Sequence, residues 1–266
     1  MEWLQILLLA ITQGLTEFLP VSSSAHLVLV PKLFGFEDQG LIFDIAIHFG
    51  SLFAVIFYLR KQIWLISGDF FQSLTPQGKK TDNSQLGWMI IIATLPIVFI
   101  GLIFKGLMET DLRSAPIIAS ASIGFGLLLW FADYSAKRKN NEYSIHWKQA
   151  LMIGFAQALA IIPGTSRSGI TITAALMLGL TRRAAARFSF LLSIPTILMS
   201  GALVALDLIK ETPSMNWGDL ISGVILSFIA ASLCIHFFMQ YIEKTGMLPF
   251  VIYRILLGVV ILWVVI

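Results

Sequence analysis

Glu17, Ser23, His26 and Arg167 put a carboxylate, a hydroxyl, an imidazole and a guanidinium into an otherwise apolar chain. Together they are the parts of a phosphoryl-transfer site: a nucleophile, a base and a charge clamp. Their spacing groups them. Gln13 and Glu17 are four apart and share one helix face, and Ser23 and His26 are three apart, within one helical turn. Ser22 and Ser24 flank the candidate nucleophile. Arg167 lies in "PGTSRSG" (163–169) beside Thr165, Ser166 and Ser168, with Thr171 just beyond. Its planar fork suits phosphate oxygens. Blander readings stand beside these. Serines in membrane helices also serve as close-packing residues, and an arginine between two apolar runs also fits a surface loop. Glu17 is harder to read that way, because sixteen mostly apolar residues precede it.

The surrounding composition sets the solvent. Of 266 residues, 57% are hydrophobic and 12% charged, against about 25% charged in a soluble domain. Several apolar runs approach the ~20 residues that cross a bilayer. The expectation is one all-α polytopic membrane domain, residues 1–266, with full spans near 41–59, 86–104, 115–132, 186–208, 217–240 and 247–266. The start "MEWLQILLLA" lacks a basic region and reads as a first membrane helix, not a cleavable signal. Two regions do not fit a span. Residues 3–34 break at "EFLPVSSSAH" (17–26) and residues 148–180 break at PGTSRSG. About ten apolar residues follow each break, which at 1.5 Å per residue cover roughly half of a ~30 Å core. Both regions are therefore expected to be broken, re-entrant helical hairpins.

Charge tests that topology. With six spans and two hairpins, twelve basic residues share one face: Arg60, Lys61, Lys79, Lys80, Lys137, Arg138, Lys139, Lys148, Arg182, Arg183, Arg187 and Lys244. Four fall on the other: Lys32, Lys105, Arg113 and Lys210. The positive-inside rule makes the first face cytoplasmic and both termini external. The hairpins then enter from opposite leaflets, as an inverted-topology repeat of residues 1–133 and 134–266. Proline at each break frees backbone groups that lipid cannot satisfy, and the serines that follow can cap the next half-helix. Two helix N-termini plus Arg167 make an anion site, for phosphate or diphosphate.

Other polar residues carry weaker signals. Asp44 and His48 share a helix face and could line a cavity, relay protons or pair with each other. Asp207 and Asp219 fit span ends, and Arg254 is expected to snorkel from the last span. "QIWLISGDFFQSL" (62–74) reads as a surface amphipathic helix, and Cys234, the single cysteine, as a packing residue. The basic loops fit anionic lipid, not nucleic acid. There is no Walker loop and no Cys/His zinc cluster, and no organic cofactor is expected. A divalent cation, Mg²⁺ or Ca²⁺, held by Glu17 and substrate phosphate oxygens is compatible with the residues.

"QGLTEFLPVSSSAH" (13–26) resembles the (E/Q)xxxE element and serine-histidine extension of BacA-type undecaprenyl-diphosphate phosphatases, and "PGTSRSGIT" (163–171) resembles their PGxSRSxxT element. The resemblance continues through "RFSFLLSIP" (187–195) and "PFVIYRILLG" (249–258). It implies hydrolysis of undecaprenyl diphosphate on the outer side of the bacterial cytoplasmic (inner) membrane, and with it bacitracin resistance. It implies catalytic roles for Glu17, Ser23, His26 and Arg167, with Gln13, Ser22, Ser166, Ser168 and Thr171 in support on the substrate; Ser24 and Thr165, from the two polar turns themselves, are expected to bind substrate beside them. Position 13 is Gln where some members carry Glu, which weakens a metal role there. The expected mechanism is attack by Ser23 with His26 as base; His26 or water as nucleophile stays open. The partners are the lipid substrate and membrane lipid, with a homodimer also open. A polyprenyl-phosphate transporter or flippase is the rival class, and a structural membrane scaffold the weakest.

Overall fold

The computed structural model describes residues 1–76, 78–103, 114–208 and 216–265. Lys105, Arg113 and Lys210, three of the four basic residues assigned to the external face, lie outside the described residues, as does the side chain of Asp207. Ten α-helices make up the described chain: α1 (Trp3–Thr16), α2 (Ser23–Phe34), α3 (Gly40–Ser73), α4 (Asp82–Ile103), α5 (Ala115–Ser135), α6 (Trp147–Ala158), α7 (Arg167–Met177), α8 (Arg182–Leu208), α9 (Trp217–Thr245) and α10 (Leu248–Val265). Five of them, α3, α4, α5, α8 and α9, are long and apolar enough to cross a bilayer. The sixth expected span corresponds to α10, which is apolar but shorter. Large apolar side chains such as Phe57, Trp64, Phe99, Phe131 and Trp263 point outward around the bundle, as expected where lipid is the solvent.

Both interrupted regions break where expected. Residues 17–22 separate α1 from α2. A 3₁₀ turn (Leu159–Ile161) and residues 162–166 separate α6 from α7. Small residues let the helix before each break sit tightly in the bundle. Gly14 of α1 lies against α9, where a Cβ would fall 2.6 Å from the Ser227 carbonyl oxygen. Gly154 of α6 lies against α4, where a Cβ would fall 2.6 Å from the Ala93 carbonyl oxygen. Such close backbone approach is the usual adhesive where burial from water drives nothing.

The segment 62–74 departs from expectation. It is not a separate surface helix but the end of α3, which runs unbroken for 34 residues, or ~51 Å. Ile66 and Phe70 pack on Gly87 of α4, and Asp69 accepts hydrogen bonds from Thr81 (2.7 Å) and Asn83 (3.0 Å). These contacts give the segment a protein face as well as an exposed one.

The two ends of the bundle differ in charge. At one end, Asp133 takes Arg182 bidentately, at 2.7 and 2.9 Å, and accepts the Met247 amide at 3.1 Å. Arg138 donates to the Asp133 carbonyl, Arg187 meets Glu142 at 3.3 Å, and the Arg183 amide donates to Glu243. Four of the twelve residues assigned to the basic face thus bond within one layer: Arg138, Arg182, Arg183 and Arg187. At the other end the Met1 amine meets Asp219 at 3.0 Å and Gln5 donates to the Glu37 carbonyl.

Candidate active site

The turn 17–22 and the turn 162–166 meet inside the bundle. Each is followed by a half-helix whose N-cap serine has positive φ, 74° at Ser22 and 68° at Ser166. That is an uncommon state for a residue with a Cβ, of the kind that collects at functional sites. In each turn the N-cap hydroxyl lies 3.2 Å from the hydroxyl two residues on, Ser22 to Ser24 and Ser166 to Ser168. Capping differs between them. The Ser166 hydroxyl accepts from the Gly169 amide at 3.1 Å, whereas Ser22, expected to do the same, makes no side-chain cap and is turned to Ser24. Ser168 reaches across the contact and donates to the Leu19 carbonyl at 2.8 Å.

Glu17 is the hub. It ends α1, is 7% exposed, and takes partners from both turns. Its Oε1 receives Arg167 Nη2 at 2.6 Å. Its Oε2 receives the Ser23 hydroxyl at 2.7 Å and Gln13 Nε2 at 3.0 Å. Gln13 also lies 3.4 Å from the Ser51 hydroxyl of α3. Ser23 and Arg167 are thus close enough to contact one group, since both donate to the same carboxylate. A buried charge of this kind survives only when paired and hydrogen-bonded.

His26 sits elsewhere than the expected serine–histidine pair. Its Nδ1 lies 2.7 Å from the Ser22 carbonyl, which can only accept, so Nδ1 carries the proton. Nε2 then accepts from the Tyr253 hydroxyl at 2.5 Å, and the two rings stack at 5.6 Å. The Ser23 hydroxyl donates to Glu17, not to His26. Thr165 is fully buried with an unpartnered hydroxyl, and Gln13 Oε1 is likewise unpartnered. The Thr171 hydroxyl is engaged by the Arg167 and Ser168 carbonyls and by Ser189 at 2.7 Å.

Tyr253 and Arg254, assigned no place in the site, join it, and so does His48, for which the sequence leaves lining a cavity, relaying protons and pairing with Asp44 all open. His48 Nε2 lies 3.6 Å from Glu17 Oε2, while its Nδ1 faces the Asp44 carbonyl. The shared face of Asp44 and His48 was the available signal, but not its direction. Tyr253 and Arg254 come from α10. Arg254 does not snorkel: it is 0% exposed and donates to backbone carbonyls of both turns. A cavity of about 560 Å³ adjoins the site, lined by Ser24, Lys32, Asp44, His48 and Pro163 among apolar residues.

A family model described as "Bacitracin resistance protein BacA" matches residues 6–260. The chain is 53% identical over 265 residues to "Undecaprenyl-diphosphatase 2" of Stutzerimonas stutzeri, covering 98% of each. It is 52% identical over 258 residues to "Undecaprenyl-diphosphatase" of Nitrosococcus oceani and 53% identical over 259 to "Undecaprenyl-diphosphatase 1" of Pseudoalteromonas translucida, covering 97% of each chain in both cases. With its two polar motifs meeting on one carboxylate and similarity along nearly its whole length, the chain belongs to the bacitracin resistance protein BacA family.

Proposed function

We propose that this membrane enzyme hydrolyses undecaprenyl diphosphate to undecaprenyl phosphate and inorganic phosphate, regenerating the lipid carrier of peptidoglycan synthesis. By removing the lipid form that bacitracin sequesters, it confers resistance to that antibiotic. One observation carries the mechanism: Ser23 and Arg167, from separate turns, are held 2.7 and 2.6 Å from the two oxygens of Glu17. Ser23 Oγ attacks the terminal phosphorus and its proton passes to Glu17. The bond from that phosphorus to the bridging oxygen breaks, and undecaprenyl phosphate leaves with the bonding pair. Water then cleaves the phosphoserine, releasing inorganic phosphate and restoring the hydroxyl. Arg167 and the amides at the starts of α2 and α7 stabilise the equatorial oxygens, which is where most catalytic power lies when the leaving group is good. Ser22, Ser24, Thr165, Ser166 and Ser168 complete the cradle. Thr171 fixes Arg167 by bonding to its carbonyl. In the hydrolytic step His26 Nε2 exchanges the Tyr253 hydroxyl for water and acts as its base, while Nδ1 stays on the Ser22 carbonyl.

A protein-held cation fits poorly. Both Glu17 oxygens are engaged, Arg167 already neutralises the carboxylate, and the described residues hold no group of three potential ligands. A Mg²⁺ or Ca²⁺ ion would arrive on the diphosphate, and no step is routed through it.

The site opens to the outer side of the cytoplasmic membrane. The adjoining cavity includes Phe36, Asp38 and Gln39, next to Glu37 at the end opposite the arginine-rich layer. Six spans and two hairpins in inverted repeat are supported by the matched serine turns and by α1 packing on α9 as α6 packs on α4. The test is phosphate release from undecaprenyl diphosphate by purified protein in detergent, which a transporter would not produce. Arg167→Ala is expected to remain folded and release none; near-normal turnover in that variant would overturn the assignment.

A further inference from the structure

Among the described residues Arg254 is the largest side chain that is wholly buried. Its Nη2 donates to the Gly164 and Thr165 carbonyls at 2.9 and 2.8 Å, its Nε to the Ser122 carbonyl at 3.0 Å, and Nη1 approaches the Pro20 carbonyl at 3.5 Å. The bundle is shaped around it. A Cβ at Gly169 would fall 2.7 Å from its Nη1, and one at Gly126 would fall 3.2 Å from its Cβ. Among the described residues no carboxylate pairs with it. The Arg167 charge is already taken up by Glu17 at 2.6 Å. A diphosphate arriving at this resting pair would therefore meet little net positive charge from it.

We propose that Arg254 is the second cation of the anion site, a positioning residue that acts through the turn 162–166. This rests on the diphosphate hydrolase reading. Arg254 grips the carbonyl oxygens of two successive peptide units. In a trans peptide the N–H points opposite to the C=O, so polarising the Thr165 carbonyl strengthens the Ser166 amide as a donor on the far side, while polarising the Gly164 carbonyl strengthens the Thr165 amide's bond to the Ile162 carbonyl, which closes the turn. The same grip satisfies the carbonyls that the helix break leaves open, which lipid could not do. Its uncompensated charge adds a fixed positive field behind both turns, worth far more in a low-dielectric interior than in water.

The experiment measures kcat and KM for a short-chain prenyl diphosphate, binding of inorganic pyrophosphate, and thermal unfolding in detergent, on full-length Arg254→Met, Arg254→Lys and Gly169→Ala. Arg254→Met is expected to weaken pyrophosphate binding about tenfold or more. Arg254→Lys keeps the charge and loses the fork, so it should restore most of that binding while kcat stays depressed. Gly169→Ala, which displaces the guanidinium, should raise KM. Unaltered pyrophosphate affinity in a folded Arg254→Met would overturn the proposal. If that variant does not fold, unaltered kcat, KM and pyrophosphate binding in both Arg254→Lys and Gly169→Ala would overturn it. Wild-type protein that releases no phosphate would instead overturn the hydrolase reading, and pyrophosphate binding would still decide the role of Arg254.

Discussion

Ser23 and Arg167 hold the same place in two turns of the same build: each follows an N-cap serine at positive φ, and each is followed by a second serine. One position carries a hydroxyl and the other a guanidinium, and both converge on Glu17. A shared backbone frame thus presents two different tools at one point. In the proposed mechanism the first turn supplies the group that forms a bond, and the second supplies charge. Three residues further on the contrast repeats, with His26 in the first half-helix and Ile170 in the second.

The comparison breaks most sharply at the proposed nucleophile. Ser23→Ala should lower phosphate release about 10³-fold or more and abolish any phosphoenzyme trapped and mapped by mass spectrometry. A trapped phosphate on another residue would reassign the first turn. Arg167→Lys comes next. Keeping charge but losing the planar fork, it should cost about 10²-fold in kcat while pyrophosphate still binds; wild-type kcat would mean that charge alone suffices in the second turn. Tyr253→Phe removes the partner of His26 Nε2 and should change kcat about tenfold, with the change confined to dephosphorylation of the phosphoenzyme in single-turnover kinetics. The smallest effect is the cap. Ser166→Ala should lower unfolding stability in detergent by about 1 kcal/mol, and Ser22→Ala, with no capped amide to lose, by a few tenths. Equal losses would remove the distinction between the turns.

Much of this was readable before any coordinates. Pro20 and Pro163 interrupt apolar runs too short to resume as spans, and an acidic and a basic residue beside those breaks are costly in lipid unless they meet. The breaks follow from local chain chemistry and the convergence of the two turns from their opposed entry, whereas the direct Glu17–Arg167 pair is a finding of the structure. Two contributions from α10 did not. Arg254 stands near the end of an apolar helix, where a long side chain ordinarily reaches water. Only the packing of α10 against α5, through Gly126 and Ser122, turns it inward. Nothing in the sequence singles out Tyr253; it takes its place only because α10 sets it against His26. The role of His26 went astray for a related reason. Three-residue spacing puts it near Ser23, but spacing does not say that the Ser22 carbonyl and Tyr253 claim both ring nitrogens. The end of α3 was misread because amphipathic periodicity looks the same whether a helix rests on lipid or on a neighbouring helix.

The lateness of α10 in the chain has a consequence for biogenesis. Ser23 and Glu17, the proposed nucleophile and its base, leave the ribosome among the first twenty-three residues, yet the side chain that ties down both turns is residue 254. During synthesis the early reactive groups therefore wait in the membrane without their brace. A chain stopped before its final helix should be inert however well its earlier segments insert, which would keep an unfinished enzyme from attacking lipid.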